Sequence, residues 1–254
     1  MQSELILFIG IIVFLSGLCI GSFLNVCIYR IPKKECIITG RFHCMSCGGS
    51  LKWYDNVPLI SYLLLRGRCR ECKAKISIQY PLVETLNGLG YVLIFLVNGI
   101  NFTSILYSLC FSALMVLSVI DWRTYEIPFG INVFIFILGV IRAVSDYANI
   151  IEYLLGFISV SGFLYLLVWI TKGRAMGGGD VKLMAAAGLL LGVKNIILAL
   201  ILGCILGSVI HIARMKIQNK ESMLAFGPYL AGGIFISMLF GNAIVEWYIS
   251  FFII

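Results

Sequence analysis

SILYSLCFSALMVLSVIDWRTYEIP, Ser104–Pro128, carries no charge from 104 to 120 and then places Asp121, Arg123 and Glu126 in quick succession. An uncharged run of that length suits a helix crossing the hydrocarbon core of a bilayer. The abrupt change at Asp121 predicts that the helix reaches one membrane face and stops there. Comparable runs recur over about 5–28, 82–99, 129–145, 151–171, 181–193, 195–213 and 225–250. The fold expected is therefore an all-α polytopic integral membrane protein with about eight transmembrane helices. The run at 181–193 is short, which a span accommodates by tilting little or by thinning the bilayer locally.

Composition agrees. The chain has 254 residues, 61% hydrophobic and 12% charged, with a mean hydropathy of +1.02. Soluble domains carry roughly twice that charged fraction. The start, MQSELILFIG, lacks the basic region and cleavage site of a signal peptide, so the first run reads as a retained helix. If 29–81 is cytoplasmic, alternating spans also put 121–128, 172–180 and 214–224 inside. Arg142 and Lys194 alone then lie on or near the outer side; the rest of the 19 basic residues lie inside or at the inner boundary. That skew is the positive-inside pattern. The net charge of +7 thus reports topology and contact with anionic membrane lipid, with no nucleic-acid partner implied.

Three segments follow: a first transmembrane helix over 1–28, a polar cytoplasmic insert over 29–81, and a transmembrane domain over 82–254. The insert holds four of the nine cysteines as two pairs, CMSC (Cys44, Cys47) and CREC (Cys69, Cys72). The interval 48–68 between them is close to that of a four-cysteine zinc ribbon. Two such knuckles complete the tetrahedral thiolate shell that Zn2+ prefers, with no position open for substrate, so the metal would be structural. Disulfides are disfavoured in a reducing cytoplasm, and unbound thiols are the remaining alternative. A short insert with little core of its own gains from a metal staple. Cys19, Cys27, Cys110 and Cys204 sit in apolar surroundings and read as packing residues. Cys36 has no partner spacing.

Asp121 and Asp180 map to the same inner boundary, where a carboxylate suggests function. Asp180 stands in AMGGGDVKLMAAAGLLLG, Ala175–Gly192. Simpler roles exist: Asp180 as a helix N-cap, or Asp121 paired with Arg123 or Lys182. Capping alone gives no reason for Gly177, Gly178 and Gly179 in a row. Bare backbone beside an acid suits a substrate strand or a second helix end that must come close. Irregular backbone at this depth also implies a wet cavity. Two facing carboxylates form a dyad for hydrolysing a peptide with water, one ionised as base and one protonated as acid. Helix dipoles suggest Asp180, at an N-terminus, as base and Asp121, at a C-terminal end, as acid. The competing reading is an ion- or proton-coupled transporter using the Asp pair. Such sites favour the midplane and internal repeats, and neither feature is found here. A non-catalytic membrane adaptor would leave the acids and glycines without a role.

Several stretches together resemble the bacterial type 4 prepilin peptidases, a family of GxGD aspartic proteases. They are GSFLNVCIYRIP (Gly21–Pro32), LKWYDNVPLISYLLLRGRCRECKAKISIQYPLVE (Leu51–Glu84), DWRTYEIP, GGGD and FGPYLAGG (Phe226–Gly233). The resemblance implies that Asp121 and Asp180 are catalytic. It also implies a bifunctional enzyme of the cytoplasmic (inner) membrane. Such enzymes cut the leader of prepilins and pseudopilins after a glycine at the cytoplasmic face, then N-methylate the new N-terminus, usually phenylalanine, with S-adenosylmethionine. Glu84, in PLVE, would contribute to the cofactor or substrate site, although an acid at a helix start also has a dipole reason to be there. The insert shows no glycine-rich nucleotide turn, so methyl transfer rests on the resemblance. Gly88–Gly90 reads as helix packing, and Asn25 as an interhelical hydrogen-bonder. Arg30 reads as a topology anchor, and Lys182 as either a tuner of the dyad or a snorkelling residue. Trp53 lies in a matched stretch. Asp55, Glu71 and Glu84 are the acids available to a basic leader. Neither the pathway served nor the oligomeric state is legible.

Overall fold

The computed structural model describes residues 2–37, 46–49, 57–173, 176–218 and 224–251. Its helices are α1 (Gln2–Arg30), α2 (Ile60–Leu64), α3 (Gln79–Asn98), α4 (Phe102–Thr124), α5 (Phe129–Ser145), α6 (Ile150–Thr171), α7 (Gly178–Leu191), α8 (Val193–Gln218) and α9 (Gly227–Ser250). A 3-10 turn, Tyr147–Asn149, precedes α6. Among the described residues the only β pairing is an isolated antiparallel bridge between Arg68 and Lys75.

Among the described residues six helices are long and apolar enough to cross a membrane: α1, α3, α4, α6, α8 and α9. Six of the eight expected runs thus reach bilayer length, and those at 129–145 and 181–193 form the shorter α5 and α7. α5 has 17 residues and α7 has 14. At 1.5 Å per residue α7 is only about 21 Å long, short of the ~30 Å hydrocarbon core. Its surroundings explain the length. Leu183, Met184, Ala187 and Leu190 are wholly buried, and Ala186, Leu189 and Leu191 nearly so. A helix enclosed by other helices has no need of bilayer length.

The chain forms two compact units, Met1–Ile100 and Asn101–Ile254. In the first, α1 and α3 run antiparallel with small residues at their crossing. A Cβ on Gly17 would lie 2.7 Å from the Gly88 Cα, and one on Gly21 2.7 Å from the Glu84 Cα. Backbones that close give polar side chains a reach across the seam. Asn87 Nδ2 donates to the Gly17 carbonyl at 2.8 Å and Asn25 Nδ2 to the Tyr80 carbonyl at 3.2 Å. Gly88 and Asn25 therefore have the packing roles expected of them.

In the second unit α7 packs against α5, α6, α8 and α9. Gly156 and Gly188 bring α6 and α7 into backbone contact, where a side chain on either would overlap the other's carbonyl. α4 opens with Asn101 as its cap, the Oδ1 accepting from Ser104 N at 2.8 Å. It closes at Tyr125, left-handed at φ 56, whose N–H donates to the Asp121 carbonyl at 2.8 Å. Outward-facing Leu, Ile, Phe and Trp side chains cover α6 and α8, as lipid contact requires. Of the four cysteines expected as packing residues, Cys27 and Cys110 are buried, whereas Cys19 and Cys204 are exposed.

Candidate functional site

Asp121 lies in the last turn of α4 and is 4% exposed. Its Oδ2 accepts from the backbone N–H of Gly227 at 2.9 Å. Gly227 is the first residue of α9, where an N–H has no partner within its own helix. Asp121 therefore supplies that partner, at the positive end of a second helix.

Asp180 is 8% exposed. The N-cap of α7 is Gly177, with φ −79 and ψ 148, and Asp180 is the third residue of the helix. The Gly177 backbone N–H favours the charged carboxylate of Asp180, in the third-position relation of a capping box, set by where the glycines let the helix begin. Asp121 is near enough to act on Asp180 by direct charge interaction. Both carboxylates thus stand at helix N-termini, so dipoles do not separate base from acid as the sequence had suggested.

The three glycines differ. A Cβ on Gly179 would lie 3.0 Å from the Ile127 Cβ, so this position admits the loop that follows α4. A Cβ on Gly178 would meet nothing within 4 Å. The backbone there borders open space. A Cβ on Gly177 would lie 3.7 Å from Asp180 Oδ2, an ordinary contact.

Two residues at this site were not singled out from sequence. Gly227 falls within FGPYLAGG, but nothing in that motif reveals which donor meets Asp121. Asn132, 4% exposed on α5, donates through Nδ2 to the Gly179 carbonyl at 3.4 Å. A lone amide in the apolar run 129–141 was the available signal. Lys182 is exposed, with Nζ 5.2 Å from the Phe129 ring centroid. Arg214 similarly stands 4.8 Å from the Trp122 ring centroid.

In the first unit, Glu84 is 6% exposed. Its Oε2 accepts from Leu59 N at 2.8 Å. Leu59 has φ 61, so Glu84 pins a strained turn just before α2. Arg30 closes the end of α1 by donating to the carbonyls of Cys36 at 3.0 Å and Ile37 at 3.3 Å.

The thiols of Cys47, Cys69 and Cys72 converge, with their sulfurs within 4.8 Å of one another. A tight turn builds the second knuckle: Lys73 N donates to Cys69 O, Cys69 N to Ala74 O and Ile76 N to Gly67 O, at 3.1, 2.8 and 2.8 Å. Lys73 takes φ 59 to close it. Cys69 is buried while Cys47 and Cys72 face outward. Three convergent sulfur donors suit a thiophilic ion such as Zn2+. Cys44, Trp53 and Asp55 lie outside the described residues.

Comparison with known proteins gives a consistent result. The family model described as Bacterial Peptidase A24 N-terminal domain matches residues 15–98, and that of the Type IV leader peptidase family matches 108–212. A prepilin leader peptidase/N-methyltransferase of Aeromonas salmonicida (strain A449) is 30% identical, the alignment covering 94% of this chain and 93% of the relative. Proteins of the same name from Legionella pneumophila and Pseudomonas aeruginosa are also 30% identical, covering 96% and 93% of this chain and 96% and 92% of themselves. No solved structure matches the chain.

Proposed function

The chain belongs to the Type IV leader peptidase family, and on that premise we propose that it is a membrane aspartic endopeptidase that removes the leader of prepilins or pseudopilins after a glycine. It also N-methylates the newly exposed terminus, usually phenylalanine, with S-adenosylmethionine as donor. One observation carries the peptidase reading. Asp121 and Asp180 come from different helices, are both buried, and interact by charge.

Two carboxylates in one site share a proton, and their titrations belong to the pair. The ionised member takes a proton from water, whose oxygen attacks the scissile carbonyl. The protonated member donates a hydrogen bond to the carbonyl oxygen. Collapse of the tetrahedral adduct breaks the C–N bond, and the dyad returns a proton to the leaving amine. Gly227 N–H orients Asp121, so that acid is held before substrate arrives. We place the peptide over Gly178, where the backbone borders open space, while Gly179 admits the Ile127 side.

Six bilayer-length apolar helices and the family make the chain an integral membrane protein. We place it in the cytoplasmic (inner) membrane with the dyad facing the cytoplasm, a reading supported by the skew of Lys and Arg when α5 and α7 cross along with the six longer helices. A leader in the cytoplasm and a substrate helix in the bilayer would meet at that boundary. Cys44, Cys47, Cys69 and Cys72 would hold a structural Zn2+, which would fix the fold of the insert and take no part in hydrolysis. When bound, S-adenosylmethionine supplies an electrophilic methyl group. A buried carboxylate suits a cationic donor, and Glu84 is the residue we assign there. Its hydrogen bond to Leu59 would fix the chain around that site.

The test is purified enzyme in detergent with a synthetic prepilin, with and without S-adenosylmethionine, read by mass spectrometry. Leader loss in both arms and a methyl increment in one are expected. Intact substrate in both arms would refute the peptidase reading, and cleavage without the increment would refute the methylase alone.

A further inference from the structure

Asn132 sits in the first turn of α5, a helix whose other side chains are apolar as far as Arg142. At 4% exposure its amide is largely withdrawn from bulk water. Nδ2 donates to the Gly179 carbonyl, which fixes the orientation of the amide and commits Oδ1 to the acceptor role. That Oδ1 is buried without a hydrogen-bond partner among the described residues. Buried side-chain acceptors are nearly always paired. An orphan acceptor anchored to the peptide unit that precedes Asp180 points to a donor brought by a ligand, and one residue earlier the backbone at Gly178 borders open space.

A peptide crossing the dyad brings such donors in its main-chain N–H groups. We propose that Asn132 is a substrate-binding residue whose Oδ1 accepts a hydrogen bond from a main-chain N–H of the bound peptide next to the scissile bond. The proposal rests on the reading of Asp121 and Asp180 as the catalytic pair. One side chain then grips both the substrate backbone and the turn that carries Asp180, so the register of the peptide is tied to the position of the acid. An amide is suited to this. It offers a neutral acceptor to the peptide and a donor to the carbonyl of Gly179, whereas a carboxylate would face that carbonyl oxygen with no proton to share.

The experiment uses full-length enzyme in detergent and a set of synthetic prepilin peptides, each N-methylated at one main-chain nitrogen near the scissile bond. Wild type, Asn132→Leu and the smaller, still polar Asn132→Ser are compared. In wild type, N-methylation at one position should lower kcat/KM about tenfold, the scale of one lost hydrogen bond. Asn132→Leu should already carry a loss of similar size, mainly in KM, and show no further loss with that peptide. Asn132→Ser serves the same comparison if the leucine variant does not fold. Equal losses in all enzymes at every position would overturn the proposal. So would a fall in kcat alone with an unchanged N-methyl response, which would mean that Oδ1 holds a water instead. Persistent cleavage by Asp121→Asn and Asp180→Asn would defeat the dyad reading, and that result is independent of the peptide scan.

Discussion

The backbone N–H of Gly227 reaches the Asp121 carboxylate at 2.9 Å across 106 residues of chain. An unpaired helix-terminal donor and a buried acid satisfy each other, and α9 thereby becomes part of the site. A Cβ on Gly227 would lie 2.7 Å from Asp121 Oδ2 and 3.1 Å from Leu117 Cδ2. Gly227→Ala should therefore displace the carboxylate and lower kcat/KM by about a hundredfold, the cost of a misplacement near 1 Å. Cleavage kinetics check this, with metal content as the unaffected control. Near-wild-type kinetics would mean that the Gly227 contact does not position the acid.

Neighbouring glycines should respond differently. Gly178→Ala adds a methyl into open space and should leave thermal stability unchanged or raise it by up to about 1 kcal/mol from helix propensity. If the peptide passes there, the same variant raises KM. Gly179→Ala meets Ile127 at 3.0 Å and should lower the melting temperature as well as activity. Thermal melts and KM for both variants distinguish the positions; identical behaviour would contradict the division of roles.

The thiolate cluster predicts a separable metal phenotype. Cys69→Ser removes the buried ligand of the three described. Metal content measured by elemental analysis should fall, and the insert should become sensitive to limited proteolysis. The unit from Asn101 onward should melt as before, because the cluster lies in the other unit. Unchanged metal content in Cys69→Ser would rule out the sulfur site.

Much of this was legible in the chain. The run at 129–145 coincides with Phe129–Ser145, and the end of the apolar stretch at 120 places Asp121 in the last turn of its helix. Polarity changes of that size fix helix ends wherever bilayer or core meets water. The number of spans was less legible, because an apolar run reads alike whether lipid or protein surrounds it, and α7 is enclosed by protein. The cap role open to Asp180 falls to Gly177, and the acid stands at the third position of α7. Gly227 and Asn132 were missed for a different reason. Their partners, Asp121 and Gly179, lie 106 and 47 residues away, and local periodicity carries no record of such pairings.

Away from the dyad, the turn between α5 and α6 predicts a pH effect on stability. The Tyr153 hydroxyl donates to Asp146 Oδ2 at 2.7 Å, Asn149 adds weaker contacts, and Arg142 lies 3.6 Å away. Led by the Tyr153 bond, these contacts hold the Asp146 carboxyl below its ordinary range. A carboxylate depressed by folding contributes stability above its unfolded value of about 3.9, and that contribution is lost as pH falls through the folded value. Asp146→Asn should therefore melt below wild type at neutral pH, with the gap closing as pH drops beneath about 4. A gap independent of pH would assign the effect to packing instead.

The central claim is that Asp121 and Asp180 cleave peptide as a single unit. Its most direct test is the cleavage rate of a synthetic prepilin by Asp121→Asn, Asp180→Asn and the double variant, each shown to be folded by its melting curve. Each single variant should lose at least about a hundredfold in rate, and the double variant should be little worse than either, as expected of groups acting together. A single variant that retains more than about a tenth of wild-type rate, where loss of an acid–base group costs about a hundredfold or more, would contradict the account.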